Sequence, residues 1–202
     1  GYEIYVRDAH ENAEKMWNAV LEAGEEFGLM VIAPAHHRRI AAGILSWGQD
    51  LDHETSPFQV NLAYQVPRNK AADYIGKEAL EKQRAIIDEG NAPFKMKMVG
   101  ITFGGKEITD YAPDFWLIED TDGNEMGYVT SPWWSPELGT NIGLAWVPWS
   151  SSEVGTKLQV KLPEEYSDGG PAQGEVVEVP FRESVNPNKR EVQKAKGLDY
   201  AD

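Results

Sequence analysis

The feature that most limits how this chain can fold is a change in the spacing of its apolar residues near residue 94. Beyond that point apolar and polar residues alternate along short segments, which is the pattern of half-buried β-strands. Residues 95–99, 125–129 and 157–161 show the alternation, and turn-forming pairs such as Asp122-Gly123 lie between them. Short alternating strands joined by such turns predict a small antiparallel β-barrel or sandwich over residues 93–183.

Before residue 93 the spacing of apolar residues is mixed. Helical spacing predicts a helix over about residues 10–27, with Gly28 at its end, and two further helices over 34–42 and 77–88. Short apolar runs predict strands over 2–6 and 29–32. This order predicts an α/β portion over residues 1–92 and makes the whole chain α+β. Residues 184–202 are polar and are predicted to form a tail.

Charge and composition exclude several classes of function. The chain has 202 residues, a formal net charge of -14 and no cysteine. An acidic surface disfavours nucleic acid and anionic membranes as partners. The lack of cysteine excludes disulfides and thiolate chemistry and fits a cytoplasmic protein. The chain begins at Gly1 and runs directly into a strand-like segment, so we expect a fragment or a processed piece.

Four stretches occur in an order and spacing that resemble one known family. They are Gly1-Tyr2-Glu3-Ile4-Tyr5; Arg38-Arg39-Ile40-Ala41-Ala42-Gly43-Ile44 followed by Gly48-Gln49-Asp50-Leu51; Asp73-Tyr74-Ile75-Gly76-Lys77-Glu78-Ala79-Leu80; and Gly127-Tyr128-Val129-Thr130-Ser131 with Ser135-Pro136 and Asn141-Ile142-Gly143-Leu144-Ala145. Together with Pro180-Phe181 they resemble the glycine-cleavage T-protein (aminomethyltransferase) family over residues 1 to about 182.

The resemblance implies the later part of a ferredoxin-like, folate-binding domain over residues 1–92, a C-terminal β-barrel over 93–183, and tetrahydrofolate as cofactor. It also implies that the family's catalytic Asp lies before Gly1, so no catalytic residue is assigned here. The expected partners are a small-molecule methyl donor and either a missing N-terminal half or a second copy of the chain.

Within the family, the Arg-Arg-Ile-x-Ala-Gly-Ile-Leu stretch looks most like the tetrahydrofolate-dependent dimethylsulfoniopropionate demethylase branch. The glycine-cleavage branch usually carries an Arg-Asp pair where this chain has Ala35 and His36. We therefore expect a methyltransferase that demethylates a sulfonium or aryl-ether donor. Two alternatives remain, a glycine-cleavage aminomethyltransferase with a lipoyl carrier and a non-catalytic folate-binding module.

The resemblance also nominates the residues that would bind tetrahydrofolate. Glu3 falls at the family's pterin-contacting Glu, and a carboxylate can accept two N–H donors from one pterin edge. Arg38 and Arg39 point about 100° apart on a helix, so one could bind the carboxylate of the folate glutamate while the other forms an ion pair. Arg182, after Pro-Phe, is a further candidate for that anionic tail. For each of these residues an ordinary surface role is the alternative.

Other residues that could carry chemistry give weaker signals. His10, His36, His37 and His53 do not have the spacing of a metal-ligand set, so no metal is predicted. Four of the five tryptophans in the predicted barrel cluster between residues 133 and 149, and aromatic faces attract sulfonium or ammonium groups by about 0.5–2 kcal/mol each. The alternative is that these residues pack in the barrel core and between the domains: Trp133, Trp134, Trp146 and Trp149.

Overall fold

The computed structural model describes residues 2–68 and 70–181. Contacts along the chain divide it into two units, Gly1–Pro34 and Ala35–Asp202. None of the helices in the described residues is both long and apolar enough to cross a membrane.

The first unit is built on one amphipathic helix. Helix α1 spans Ala9–Gly24 and continues into a 3₁₀ turn at Glu25–Phe27, which confirms the helix expected there. The chain leaves this turn at Gly28, whose φ of 68° is a left-handed conformation that glycine adopts without steric penalty.

The strands predicted over residues 2–6 and 29–32 do not form, and this is a correction to the sequence prediction. Both segments are without regular secondary structure. A strand is stabilised by hydrogen bonds to a neighbouring strand, and the described residues of this unit contain no other strand. Local apolar spacing indicated an extended backbone but could not supply a partner.

The second unit begins with helical segments. Helix α2 spans His36–Ala41. Helix α3 spans Lys77–Asp88, the same range that the sequence predicted. Helix α2 starts two residues later than predicted, because Ala35 has an extended conformation with φ -130° and ψ 115°. A further 3₁₀ turn occupies Ala63–Gln65.

The described residues of the second unit from Met96 onward form a closed antiparallel barrel of six strands, which confirms the predicted α+β class and selects the barrel over the sandwich. The strands are β1 Met96–Phe103, β2 Trp116–Glu119, β3 Glu125–Ser135, β4 Thr140–Pro148, β5 Lys157–Val160 and β6 Ala172–Val177. Their order around the barrel is β1-β4-β3-β2-β5-β6. The domain boundary expected at residues 92–93 stays a prediction, and the barrel's first strand begins at Met96.

Two apolar clusters lie on opposite faces of the barrel wall. Alternate residues of the strands fill the interior, among them Ile101, Ile118 and Leu158, each 0% exposed. The second cluster joins Ile40 and Ala41 of α2 to Met98, Ile142 and Leu144 on the outer face of β1 and β4. Full burial of a side chain such as Ile40 contributes about 1.5–3 kcal/mol, so this cluster holds α2 against the barrel.

Candidate functional site

A buried carboxylate is the centre of the polar cluster between α2 and the barrel. Asp50 is 1% exposed. Its Oδ1 accepts hydrogen bonds from Thr130 Oγ1 and Ser131 Oγ, both at 2.6 Å. Its Oδ2 accepts from the Ser46 amide at 2.7 Å and from Arg39 Nη1 at 2.9 Å. These donors fill the acceptor capacity of the carboxylate, so Asp50 is committed to structure.

A bulge in β3 makes this arrangement possible. Successive side chains of a regular strand point to opposite faces of the sheet. Between Val129 and Ser131 the register of β3 against β4 shifts, so that Thr130 is an extra residue. Thr130 and Ser131 can therefore direct both hydroxyls to the same carboxylate oxygen, and such bulges commonly redirect side chains near functional sites.

The guanidinium of Arg39 is held on several sides. Besides Asp50, it donates to Ser131 Oγ at 2.8 Å and to the carbonyl oxygen of Ile44 at 3.1 Å. Its side chain is 17% exposed. The neighbouring Arg38 is exposed, and its guanidinium has no hydrogen bond or ion pair within the described residues. Of the two arginines, Arg39 is thus the structural one.

Aromatic and amide side chains cover the outer side of this cluster. His36 stacks on Trp133 with ring centroids 5.1 Å apart, and its edge meets Tyr111 at 4.4 Å. Gln49 donates to the Thr130 carbonyl at 2.7 Å and accepts from the Tyr111 hydroxyl at 2.9 Å. These contacts tie three separate parts of the chain into one surface.

The protonation of His36 is set by this environment. Burial lowers the pKa of His36 below its ordinary value, the Arg39 charge lowers it further, and the Asp50 charge opposes both. The imidazole is consequently biased to its neutral form, which agrees with the hydrogen bond that its Nδ1 accepts from Arg39 Nε at 3.3 Å.

Among the residues nominated from the sequence, Arg38 and Arg39 lie in the same unit. Glu3 lies in the first unit, where its exposed carboxylate accepts a hydrogen bond from the Tyr5 hydroxyl. Arg38 and Arg39 share α2 but have different surroundings. Arg182 lies outside the described residues. Among the described residues, no three His, Cys, Asp or Glu side chains are placed to hold a metal ion.

Three of the four tryptophans, Trp133, Trp146 and Trp149, have different surroundings. Trp146 is buried, and its indole N–H donates to the Asp50 carbonyl at 3.0 Å. Trp133 stacks on His36, whereas Trp149 packs beside Phe94 with centroids 6.4 Å apart. Trp133 and Trp146 pack in the cluster on the outer face of the barrel wall, so these rings are used in packing but do not fill the barrel core.

Sequence reasoning missed the residues at the centre of the cluster. In the sequence, these residues stand out only as parts of the family motifs: Gln49, Asp50, Thr130 and Ser131. The signal available in the sequence was that polar side chains able to form hydrogen bonds recur in two separate motifs. Both motifs are otherwise rich in apolar residues and glycine.

Comparison with known proteins agrees with these motifs. Residues 1–70 match the family model described as the GCVT N-terminal domain, and residues 96–182 match the glycine cleavage T-protein C-terminal barrel domain. An aminomethyltransferase of Geobacillus sp. (strain WCH70) is 37% identical over 147 residues, covering 72% of this chain and 37% of the relative. One of Shouchella clausii is 31% identical over 185 residues, covering 90% of this chain and 45% of the relative.

A differently named relative and a solved structure also match. The dimethylsulfoniopropionate demethylase DmdA of Ruegeria pomeroyi is 33% identical over 164 residues, covering 81% of this chain and 42% of the relative. The crystal structure of glycine cleavage system aminomethyltransferase T from Bartonella henselae matches with a TM-score of 0.57 and 23% identity, covering 73% of this chain and 37% of that one. The chain therefore spans less than half the length of these relatives.

Proposed function

Because the chain belongs to the glycine-cleavage T-protein family, we propose that it contributes the barrel and the segment around Asp50 to a tetrahydrofolate-dependent aminomethyltransferase. Several of its curated relatives are named aminomethyltransferase, among them the Geobacillus protein at 37% identity. This proposal takes precedence over the demethylase expected from the sequence.

The observation that carries the proposal is the meeting of two family motifs at one buried carboxylate. The motif Gly48–Leu51 supplies Asp50, and the motif Gly127–Ser131 supplies both hydroxyls that bind it. Residues 80 positions apart in the chain are thereby held in one geometry. Fixed geometry is what a transferase needs, because holding two reactants at attack distance can lower a barrier by about 7–11 kcal/mol.

The side chains left free fit the chemistry of tetrahydrofolate. The Glu3 carboxylate is exposed and accepts a hydrogen bond from Tyr5, so it has acceptor capacity for the N–H groups of a pterin. Arg38 offers an exposed guanidinium for the carboxylates of the glutamate tail. Asp50 and Arg39 are unsuited to these roles because they bind each other. Bound tetrahydrofolate would supply the nitrogen nucleophile that accepts the one-carbon unit.

A second candidate is demethylation of dimethylsulfoniopropionate or a similar methyl donor. It is favoured by the 33% identity to DmdA and by the presence of Ala35 and His36 where the glycine-cleavage branch carries Arg and Asp. The His36 side chain contacts Trp133, Tyr111 and Arg39. Because its pKa is lowered, this position presents no cation to a folate tail. A non-catalytic folate-binding module is the remaining alternative.

One-carbon transfer to tetrahydrofolate with three donors separates these candidates. Because no catalytic residue is assigned within the 202-residue chain, it is assayed together with the part of the Geobacillus aminomethyltransferase that it does not cover. The donors are an aminomethyl-lipoyl carrier, dimethylsulfoniopropionate and vanillate, and the folate products are measured by mass spectrometry. Turnover of the aminomethyl carrier is the expected result. Turnover of dimethylsulfoniopropionate or vanillate alone supports the second candidate, and tetrahydrofolate binding without any turnover supports the module. A chain that neither binds tetrahydrofolate nor reacts contradicts the proposal.

A further inference from the structure

A groove beside the start of β1 lies apart from the Asp50 cluster. Its volume is about 230 Å³. The backbone of β1 forms one wall, and the chain around the end of β6 and the segment after β4 form the others. Its apolar lining includes Val154, Val176 and Val179, and its polar lining includes Asn61 and Lys97.

Among the described residues that line this groove, Lys97 is the only lysine or arginine. Strand alternation places it on the same face of β1 as Val99 and Ile101, which belong to the barrel interior. It is therefore half-buried, and its ammonium lies 5.1 Å from the centroid of the Trp149 ring. Burial lowers the pKa of Lys97.

The ammonium of Lys97 lacks an acidic partner within the described residues. The ion pairs found there involve other lysines and arginines, and the nearby acid of the groove, Glu178, is exposed and does not pair with it. In a chain with a net charge of -14, an ammonium that is half-buried without a carboxylate is unusual. Removing a cation from water is unfavourable unless an anion compensates it.

We propose that this groove binds a small monocarboxylate, with the carboxylate against the Lys97 ammonium and the hydrocarbon body against the valines. The charge of Lys97 selects an anion, and the exposed side chain of Val154 with the partly exposed Val179 selects an apolar body over a bare ion. A groove of about 230 Å³ has room for a ligand of about the size of benzoate and is smaller than drug-sized pockets, which have about 300–1,000 Å³. This site does not depend on the proposed transferase function.

Titration of the 202-residue chain with benzoate, followed by NMR or calorimetry, tests the site. Acetate and benzyl alcohol are the matched probes, since the first lacks the apolar body and the second lacks the charge. We expect benzoate to bind and to shift the signals of residues 97–100 and 176–179, with both control probes at least about 10-fold weaker. Equal binding of benzyl alcohol, or shifts confined to other regions, overturns the proposal.

Two variants and their controls locate the binding. Lys97→Met keeps the length of the side chain without the charge. It is expected to weaken the binding of benzoate at least about 10-fold, which is the effect of losing a charge-assisted hydrogen bond. Lys95→Met removes the same charge two residues away, at an exposed position, and is expected to bind like the wild type. Equal weakening by both variants, or none by Lys97→Met, contradicts the site.

The second variant avoids the strand itself. Val154 is 63% exposed, so Val154→Glu places a repelling carboxylate at the groove without disturbing a buried position. This variant is expected to weaken the binding of benzoate several-fold. The control Leu138→Glu, at a residue that is 45% exposed in another turn, is expected to leave the affinity for benzoate unchanged. Binding that is insensitive to Val154→Glu places the ligand elsewhere and overturns the proposal.

Discussion

Arg39 Nη1 lies 2.9 Å from Asp50 Oδ2, and the Asp50 side chain is 0% exposed. This ion pair connects α2 to the loop that follows it, and the hydroxyls of Thr130 and Ser131 connect the same carboxylate to the barrel. The pair is therefore the point at which the helical segment and the barrel of the second unit share polar contacts, in addition to the apolar contacts of Ile40 and Ala41.

Removal of the Arg39 charge should strongly destabilise the second unit. Arg39→Met leaves the Asp50 carboxylate buried without its cation, and breaking a buried pair from one side costs about 3 kcal/mol. Urea unfolding followed by far-UV circular dichroism measures the loss. Arg38→Met is the matched control, because Arg38 is exposed on the same helix and its loss should change stability by less than about 0.5 kcal/mol. Similar stabilities for the two variants would show that the pair contributes little.

The neutral bias of His36 predicts a dependence of stability on pH. The folded chain binds a proton at His36 less readily than the unfolded chain, since burial and Arg39 lower the pKa in the folded state. The contribution is fully present above the ordinary histidine pKa of about 6.5 and is lost as pH falls below it, because the unfolded state then takes up more protons.

The His36 prediction is measured in two ways. Ring signals in an NMR titration should give a pKa for His36 below 6.5. Urea unfolding at about pH 7.5 and about pH 5.5 should show a smaller loss of stability for His36→Gln than for the wild type, because glutamine does not titrate. A ring that titrates above the ordinary value would mean that the Asp50 charge outweighs burial and Arg39.

Gly127 is required by the close approach of β3 to β4. A Cβ at this position would lie 2.1 Å from the backbone oxygen of Trp146, and a backbone atom in a paired strand cannot move aside cheaply. Gly127→Ala should therefore destabilise the barrel by about 3 kcal/mol, at the upper end of overpacking effects. Thermal or urea unfolding provides the measurement.

Gly170→Ala is the control for this substitution. No heavy atom lies within 4 Å of a Cβ built at Gly170, and its φ is outside the left-handed region. Its stability should stay within about 0.5 kcal/mol of the wild type. If Gly127→Ala proves equally mild, the strands are not packed as closely as described.

The spacing of apolar residues was sufficient to predict helices and several strands of the barrel. Helix α3 was predicted over residues 77–88 because a helix makes its hydrogen bonds internally, and the strands near 96, 125 and 157 were predicted from alternation. The expected strands at 2–6 and 29–32 failed because a strand depends on a neighbour that local sequence does not specify.

The candidate site was less accessible to sequence reasoning than the fold. Arg39 was foreseen as one half of an ion pair or as a folate ligand, but its partner Asp50 was not. The contact of Asp50 with Thr130 and Ser131 depends on a bulge that inserts one residue into β3. A bulge has no strong sequence signature when, as here, it contains no glycine, so the convergence of the two motifs could be seen only in three dimensions.

Titration of the 202-residue chain with tetrahydrofolate, followed by its tryptophan fluorescence, tests the proposed function most directly when wild type is compared with Glu3→Gln. The change keeps the size of the side chain but removes the charge that would bind the pterin N–H groups. Affinity should fall by roughly 10- to 150-fold, as expected for a lost charge-assisted hydrogen bond. Glu14→Gln, the same change at an exposed position on α1, should bind like wild type. Equal affinities for all three proteins, or no binding by the wild type, would contradict the account.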